Sequence, residues 1–103
     1  MKLELVKTKE SNGTKHELYT IGKYEVQVST YSHGWKSIHI RTERGNYKPE
    51  IYSRYDFETG RVLGFEIQTT SYGALPAEEI QKVIEGYNEA LEVVKVLTAE
   101  FVK

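Results

Sequence analysis

Tyr24-Glu25-Val26-Gln27-Val28-Ser29-Thr30, then the turn residues Ser32-His33-Gly34, then Trp35-Lys36-Ser37-Ile38-His39-Ile40-Arg41, decide the fold. Apolar and polar side chains alternate with a period of two on both sides of a glycine-bearing turn. That pattern marks paired, half-buried antiparallel strands. Upstream, Leu3 to Lys7 and Lys15 to Ile21 flank the turn Ser11-Asn12-Gly13-Thr14, where Asn and Gly accept positive φ, and Gly22-Lys23 makes a second tight connection. Downstream, the polar stretch Thr42 to Glu50 reads as the longest loop. Ile51 to Phe57 and Val62 to Thr70 follow as strands around the turn Glu58-Thr59-Gly60-Arg61. Connections this short join antiparallel neighbours, because a parallel crossover needs about a dozen residues or more. The expectation is an antiparallel meander of about six strands over residues 3–72.

Strand parity assigns the faces. Val26, Val28, Ile38, Ile40, Ile51, Tyr55, Phe57, Leu63, Phe65 and Ile67 form one apolar face, and the opposite face carries Glu25, Gln27, Tyr31, Trp35, His39, Arg41, Tyr52, Arg54, Glu66 and Gln68. After residue 75 the period changes. Pro76 stands where a first helical residue belongs, and Glu78 and Glu79 put negative charge near the positive end of the macrodipole. Ile80, Val83, Ile84, Tyr87, Ala90, Leu91, Val94, Leu97 and Phe101 recur at spacings of three and four, which predicts a helix over residues 76–101 about 39 Å long. Gly86 costs that helix about 1 kcal/mol relative to alanine, so close approach of another element is expected there. Residues 1–103 form one α+β domain, in which the long C-terminal helix covers the apolar face of the sheet.

Composition narrows the chemistry. The 103 residues contain no cysteine, which excludes disulfide scaffolds, thiolate metal sites and a cysteine nucleophile. The amino terminus alternates charged and apolar residues, without the apolar run of a secretory signal, and no segment approaches the ~20 apolar residues of a membrane span. The expectation is a cytoplasmic protein with no membrane partner. The net charge of −1 conceals a +3 stretch over residues 33–54 set against −3 over residues 74–103.

Catalytic patterns are missing from the sequence. His16, His33 and His39 lack ligand spacing, no glycine-rich phosphate loop or nucleophile elbow occurs, and Glu66 is the one mid-strand carboxylate worth pairing with His39. The expectation is a non-enzyme without metal or cofactor, with a small enzyme acting near Glu66 and His39 as one alternative. The richest signal is the polar sheet face. Tyr31, Trp35, His39, Arg41, Tyr52 and Arg54 are the candidate partner-binding residues, with Arg44, Tyr47 and Lys48 in the loop above. Rings interleaved with cations suit a protein interface, where Trp, Tyr and Arg supply the hot spots. They also suit unpaired bases and phosphates, and cross-strand aromatic pairs can serve the sheet alone. The near-neutral overall charge favours protein over single-stranded nucleic acid. The acidic helix face, with Glu78, Glu79, Glu85, Glu89, Glu92 and Glu100, is a competing surface, and either a monomer or a homodimer is compatible with the pattern.

The helix start Leu75-Pro76-Ala77-Glu78-Glu79-Ile80 and centre Val83-Ile84-Glu85-Gly86-Tyr87-Asn88-Glu89-Ala90-Leu91 resemble small accessory proteins of bacteriophages and conjugative elements, some of them anti-CRISPR inhibitors that bind a host nuclease. The likeness lies mainly in residues 71–101. It implies a host protein or nucleoprotein as partner and transfers no site residue.

Overall fold

Asn12 and Gly13, with φ of 52° and 79°, close the first hairpin of the chain in two residues, and Gly22, with φ of 56°, opens the equally short second turn. These turns lock local register. In the computed structural model, which describes residues 1–42 and 47–103, they connect β1 (Glu4–Ser11), β2 (Thr14–Ile21) and β3 (Tyr24–Thr30), and the turn around Gly34 leads into β4 (Lys36–Thr42). The chain continues as β5 (Ile51–Tyr55), β6 (Val62–Ile67) and one helix, α1 (Ala77–Phe101). Every strand pairing is antiparallel, and the architecture is α+β with the helix against the strands.

The six strands fall into two sheets where a continuous meander was expected. β1-β2-β3-β4 form one, and β5-β6 form a separate hairpin. β5 reaches β4 through side chains, Ser53 and Tyr55 bonding to the main chain of Ile38 in place of a ladder.

The core gathers Ile21, Tyr24, Val26, Val28, Ile38 and Ile40 from the larger sheet, Ile51 and Val62 from the hairpin, and Ala90, Val93 and Leu97 from α1. Burying each of the larger aliphatic side chains contributes about 1.5–3 kcal/mol. Parity is right for β3 and β4 and, in the hairpin, for Ile51, Tyr55, Phe65 and Ile67, and it fails at Leu63 and Phe57. A register shift after Arg54, which pairs with Gly64 while Tyr55 pairs with Val62, leaves Leu63 as an extra residue. The bulge turns Val62 inward, 5% exposed, and Leu63 outward, 46% exposed. Phe57 lies beyond the end of β5 and is 97% exposed, so it does not join the apolar face.

The helix is rotated relative to the expected stripe. Gly86, Ala90, Val93 and Leu97 are its buried residues, whereas Ile80, Ile84 and Leu91 are exposed. Gly86 explains the rotation. A Cβ at this position would overlap the carbonyl oxygen of Tyr47 and lie 3.1 Å from its carbonyl carbon, so the segment after residue 46 lies directly on the helix backbone. Pro76, expected as the first helical residue, is instead the N-cap, and the helix begins one position later at Ala77. Glu89 fastens the same region by accepting the Lys23 amide at 2.8 Å and pairing with Lys48, while the Tyr24 hydroxyl donates to the Pro49 carbonyl at 2.6 Å. No helix among the described residues is long and apolar enough to cross a membrane.

Candidate binding face

The register of the four-stranded sheet places side chains of the face opposite the core in cross-strand rows. Lys9, His16, Ser29 and Ser37 form one row; Lys7, Leu18, Gln27 and His39 form the next; Thr20, Glu25 and Arg41 form the third. All of these residues except Thr20, Ser29 and Ser37 line a shallow cleft of about 380 Å³. Lys7, Lys9, His39 and Arg41 are exposed on it, and His16 is half-buried.

Hydrogen bonds hold part of this surface in place. Arg41 Nη2 donates to Gln27 Oε1 at 3.2 Å, and His16 Nδ1 lies 2.8 Å from Ser29 Oγ. Two carboxylates also border the cleft. Glu17 is occupied by the Tyr19 hydroxyl at 2.9 Å and Lys15 at 3.8 Å, which leaves Glu25 opposite Arg41. Burial, reinforced by the Glu17 hydrogen bond, pushes the Tyr19 phenol up to about 12, so Tyr19 is a neutral donor there. Lys7, Lys9 and Arg41 outnumber Glu17 and Glu25, and two imidazoles stand among them, so the cleft carries a small excess of positive charge.

The six candidate residues divide into three groups. His39 and Arg41 belong to the cleft. Tyr31 and Trp35 stand at the end of the β3–β4 turn, joined through the His33 ring at centroid distances of 5.7 and 5.2 Å, with the Trp35 indole laid over Gly60. Tyr52 and Arg54 are engaged on the second hairpin: Tyr52 bonds to Glu50 and, at 3.2 Å, to Gln68, and Arg54 pairs with Glu66 at 3.2 Å. Glu66 and His39 therefore sit on different sheets.

Of the loop residues, Arg44 lies outside the described residues. Tyr47 and Lys48 turn to the helix side, Tyr47 packing edge-on against Tyr72 at 5.3 Å and Lys48 pairing with Glu89. The acidic helix face is thinned by the same contacts. Burial raises the Glu89 carboxyl, but Lys48 and the Lys23 amide outweigh it and hold the group below its ordinary value; the Tyr47 hydroxyl and Lys82 do the same for Glu79.

The residues that sequence reasoning missed are Lys7, Lys9 and His16. Their signal lay in the Asn12-Gly13 turn, since a two-residue hairpin loop sets Lys9 opposite His16 and carries the pattern onto the His39 face. Among the described residues no three His, Asp or Glu side chains converge on a possible metal position. Comparisons with protein-family models, curated proteins and solved structures match nothing.

Proposed function

We propose that this protein is a non-enzymatic binding module that grips an acidic surface of another protein with the outer face of its four-stranded sheet. One observation carries the reading: Lys7, Lys9 and Arg41, from two strands distant in sequence, converge with His16 and His39 on one uncovered cleft. Charge on such a face raises the encounter rate with an acidic partner and fixes its orientation. The resemblance of residues 71–101 to accessory proteins of mobile elements supports a narrower form, an inhibitor that occupies a host protein such as a defence nuclease.

The cleft favours protein over single-stranded nucleic acid on stacking grounds. No Phe, Tyr or Trp is among the described residues lining it, whereas base recognition on a sheet rests on aromatic platforms. The test is a Lys7→Glu, Lys9→Glu, Arg41→Glu variant compared with the parent protein in crosslinked co-purification from the host. The expected result is a partner recovered with the parent and lost with the variant, at equal melting temperature. Undiminished recovery overturns the reading. Fluorescence anisotropy with single-stranded oligonucleotides at two salt concentrations separates the alternative: tight binding that weakens steeply with salt transfers the face to nucleic acid.

A further inference from the structure

We propose that the turn after β5 is a self-association knob, and that Phe57 inserts into an apolar hollow on a second copy of this chain while the second copy's Phe57 fills the same hollow on the first. Phe57 is 97% exposed at the tip of a turn built to hold it there. The Asp56 amide donates to the Arg61 carbonyl at 2.9 Å, the Gly60 amide donates to the Asp56 carbonyl at 2.8 Å, and Asp56 Oδ1 accepts the amides of Glu58 at 2.8 Å and Thr59 at 3.3 Å. Gly60 takes a φ of 69° to close the turn, and the Trp35 ring covers it. The phenyl ring is presented by a braced backbone, so little ordering cost attends its insertion.

The hollow lies at the same end of the molecule. Gly34, Gly60, Val62 and Phe101 give it largely apolar walls and a volume of about 270 Å³, a space for one ring rather than for a drug-sized ligand. Lys36, Arg61 and Lys103 also line it, against Glu100 alone. Phe57 is bracketed by Asp56 and Glu58, so the knob carries the charge opposite to the hollow's excess. These acids also disfavour burial of the ring in an anionic membrane or against phosphates. Gly60 belongs to both the knob's turn and the hollow's wall, so the two features are adjacent, and their reciprocal insertion about a two-fold axis closes the assembly as a dimer. The contact is small, below the ~1,200 Å² of a standard stable interface, so the dimer is weak and concentration-dependent.

Sedimentation velocity between about 10 µM and 1 mM tests this, a range suited to a contact below the standard interface size. The parent protein should pass from monomer to dimer across that range, and Phe57→Ala, which removes an exposed side chain, should weaken association at least about tenfold, as loss of an interface anchor does. Glu58→Lys and Lys36→Glu should each abolish self-association, and an equimolar mixture of the two should restore it, because both contacts of the mixed dimer regain opposite charges. A parent protein that stays monomeric to 1 mM, a Phe57→Ala protein that dimerises undiminished, or a mixture that stays dissociated overturns the proposal.

Discussion

The phenolic oxygen of Tyr55 lies 2.6 Å from the amide nitrogen of Ile38 and 3.2 Å from the carbonyl oxygen of the same residue, so one side chain of β5 serves both main-chain groups on the outward edge of β4. Ser53 completes the arrangement, its hydroxyl lying 2.8 Å from the Ile38 carbonyl and 2.7 Å from Tyr55 Oη. Main-chain groups at a sheet edge must find partners, and here hydroxyls supply them in place of another strand's backbone. The β5–β6 hairpin is thereby attached to the larger sheet without extending it, and the sheet ends at β4.

Tyr55→Phe should expose this substitution for a ladder. The variant leaves the half-buried Ile38 amide without its acceptor, at an expected cost of about 1–2 kcal/mol. Hydrogen exchange followed by NMR should show the Ile38 amide losing protection while the amides of the β2–β3 ladder keep theirs.

Gly86→Ala runs against helix propensity. Propensity alone predicts a gain of about 1 kcal/mol, yet the new methyl group would overlap the Tyr47 carbonyl. The expected outcome is a lower melting temperature. Gly64→Ala is the control, since open space surrounds that position, and its melting temperature should hold or rise.

The bulge after Arg54 predicts that two adjacent apolar residues differ sharply. Val62→Ala should cost about 1.5–2.5 kcal/mol through lost methyl burial and the cavity left behind, whereas Leu63→Ala should cost under about 1 kcal/mol. Urea titrations of the two variants measure the difference, and equal costs would contradict the register.

Stability should fall at both ends of the pH range. The Glu89 carboxyl is held below its ordinary value, so its contribution is complete above about pH 4.5 and is lost as acid protonates the folded form. Burial raises the Tyr24 phenol above its ordinary value of 10.0, so its contribution is complete below pH 10 and declines above it, where the unfolded chain ionises first. Denaturant midpoints of Glu89→Gln should show a flatter acid limb. Tyr24→Phe should flatten the alkaline limb in part, since Tyr19 titrates near 12, and should cost about 1–2 kcal/mol throughout by leaving the Pro49 carbonyl without its donor.

Much of the candidate face was legible. His39 and Arg41 follow from alternation in one strand, and Lys7, Lys9 and His16 were within reach of the same counting once the Asn12-Gly13 turn is given two residues. The separation of Tyr52 and Arg54 from them was not. Strand parity carries no information about whether β5 continues the sheet, and the outcome turned on two hydroxyls meeting Ile38.

The sequence by itself determined which segments are strands, which is the helix, and how β1 to β4 pair, because periodicity and two-residue turns are local properties of the chain. Tertiary structure alone decided three other matters. It ended the sheet at β4, it set Val62 rather than Leu63 inside, and it turned the Gly86-Ala90-Val93-Leu97 stripe to the core while leaving Ile80, Ile84 and Leu91 outside. The physical reason is common to all three. A period specifies that one face will be buried, but the phase of that face is chosen by the backbone that arrives against it, and here the main chain of Tyr47 fits only over a glycine.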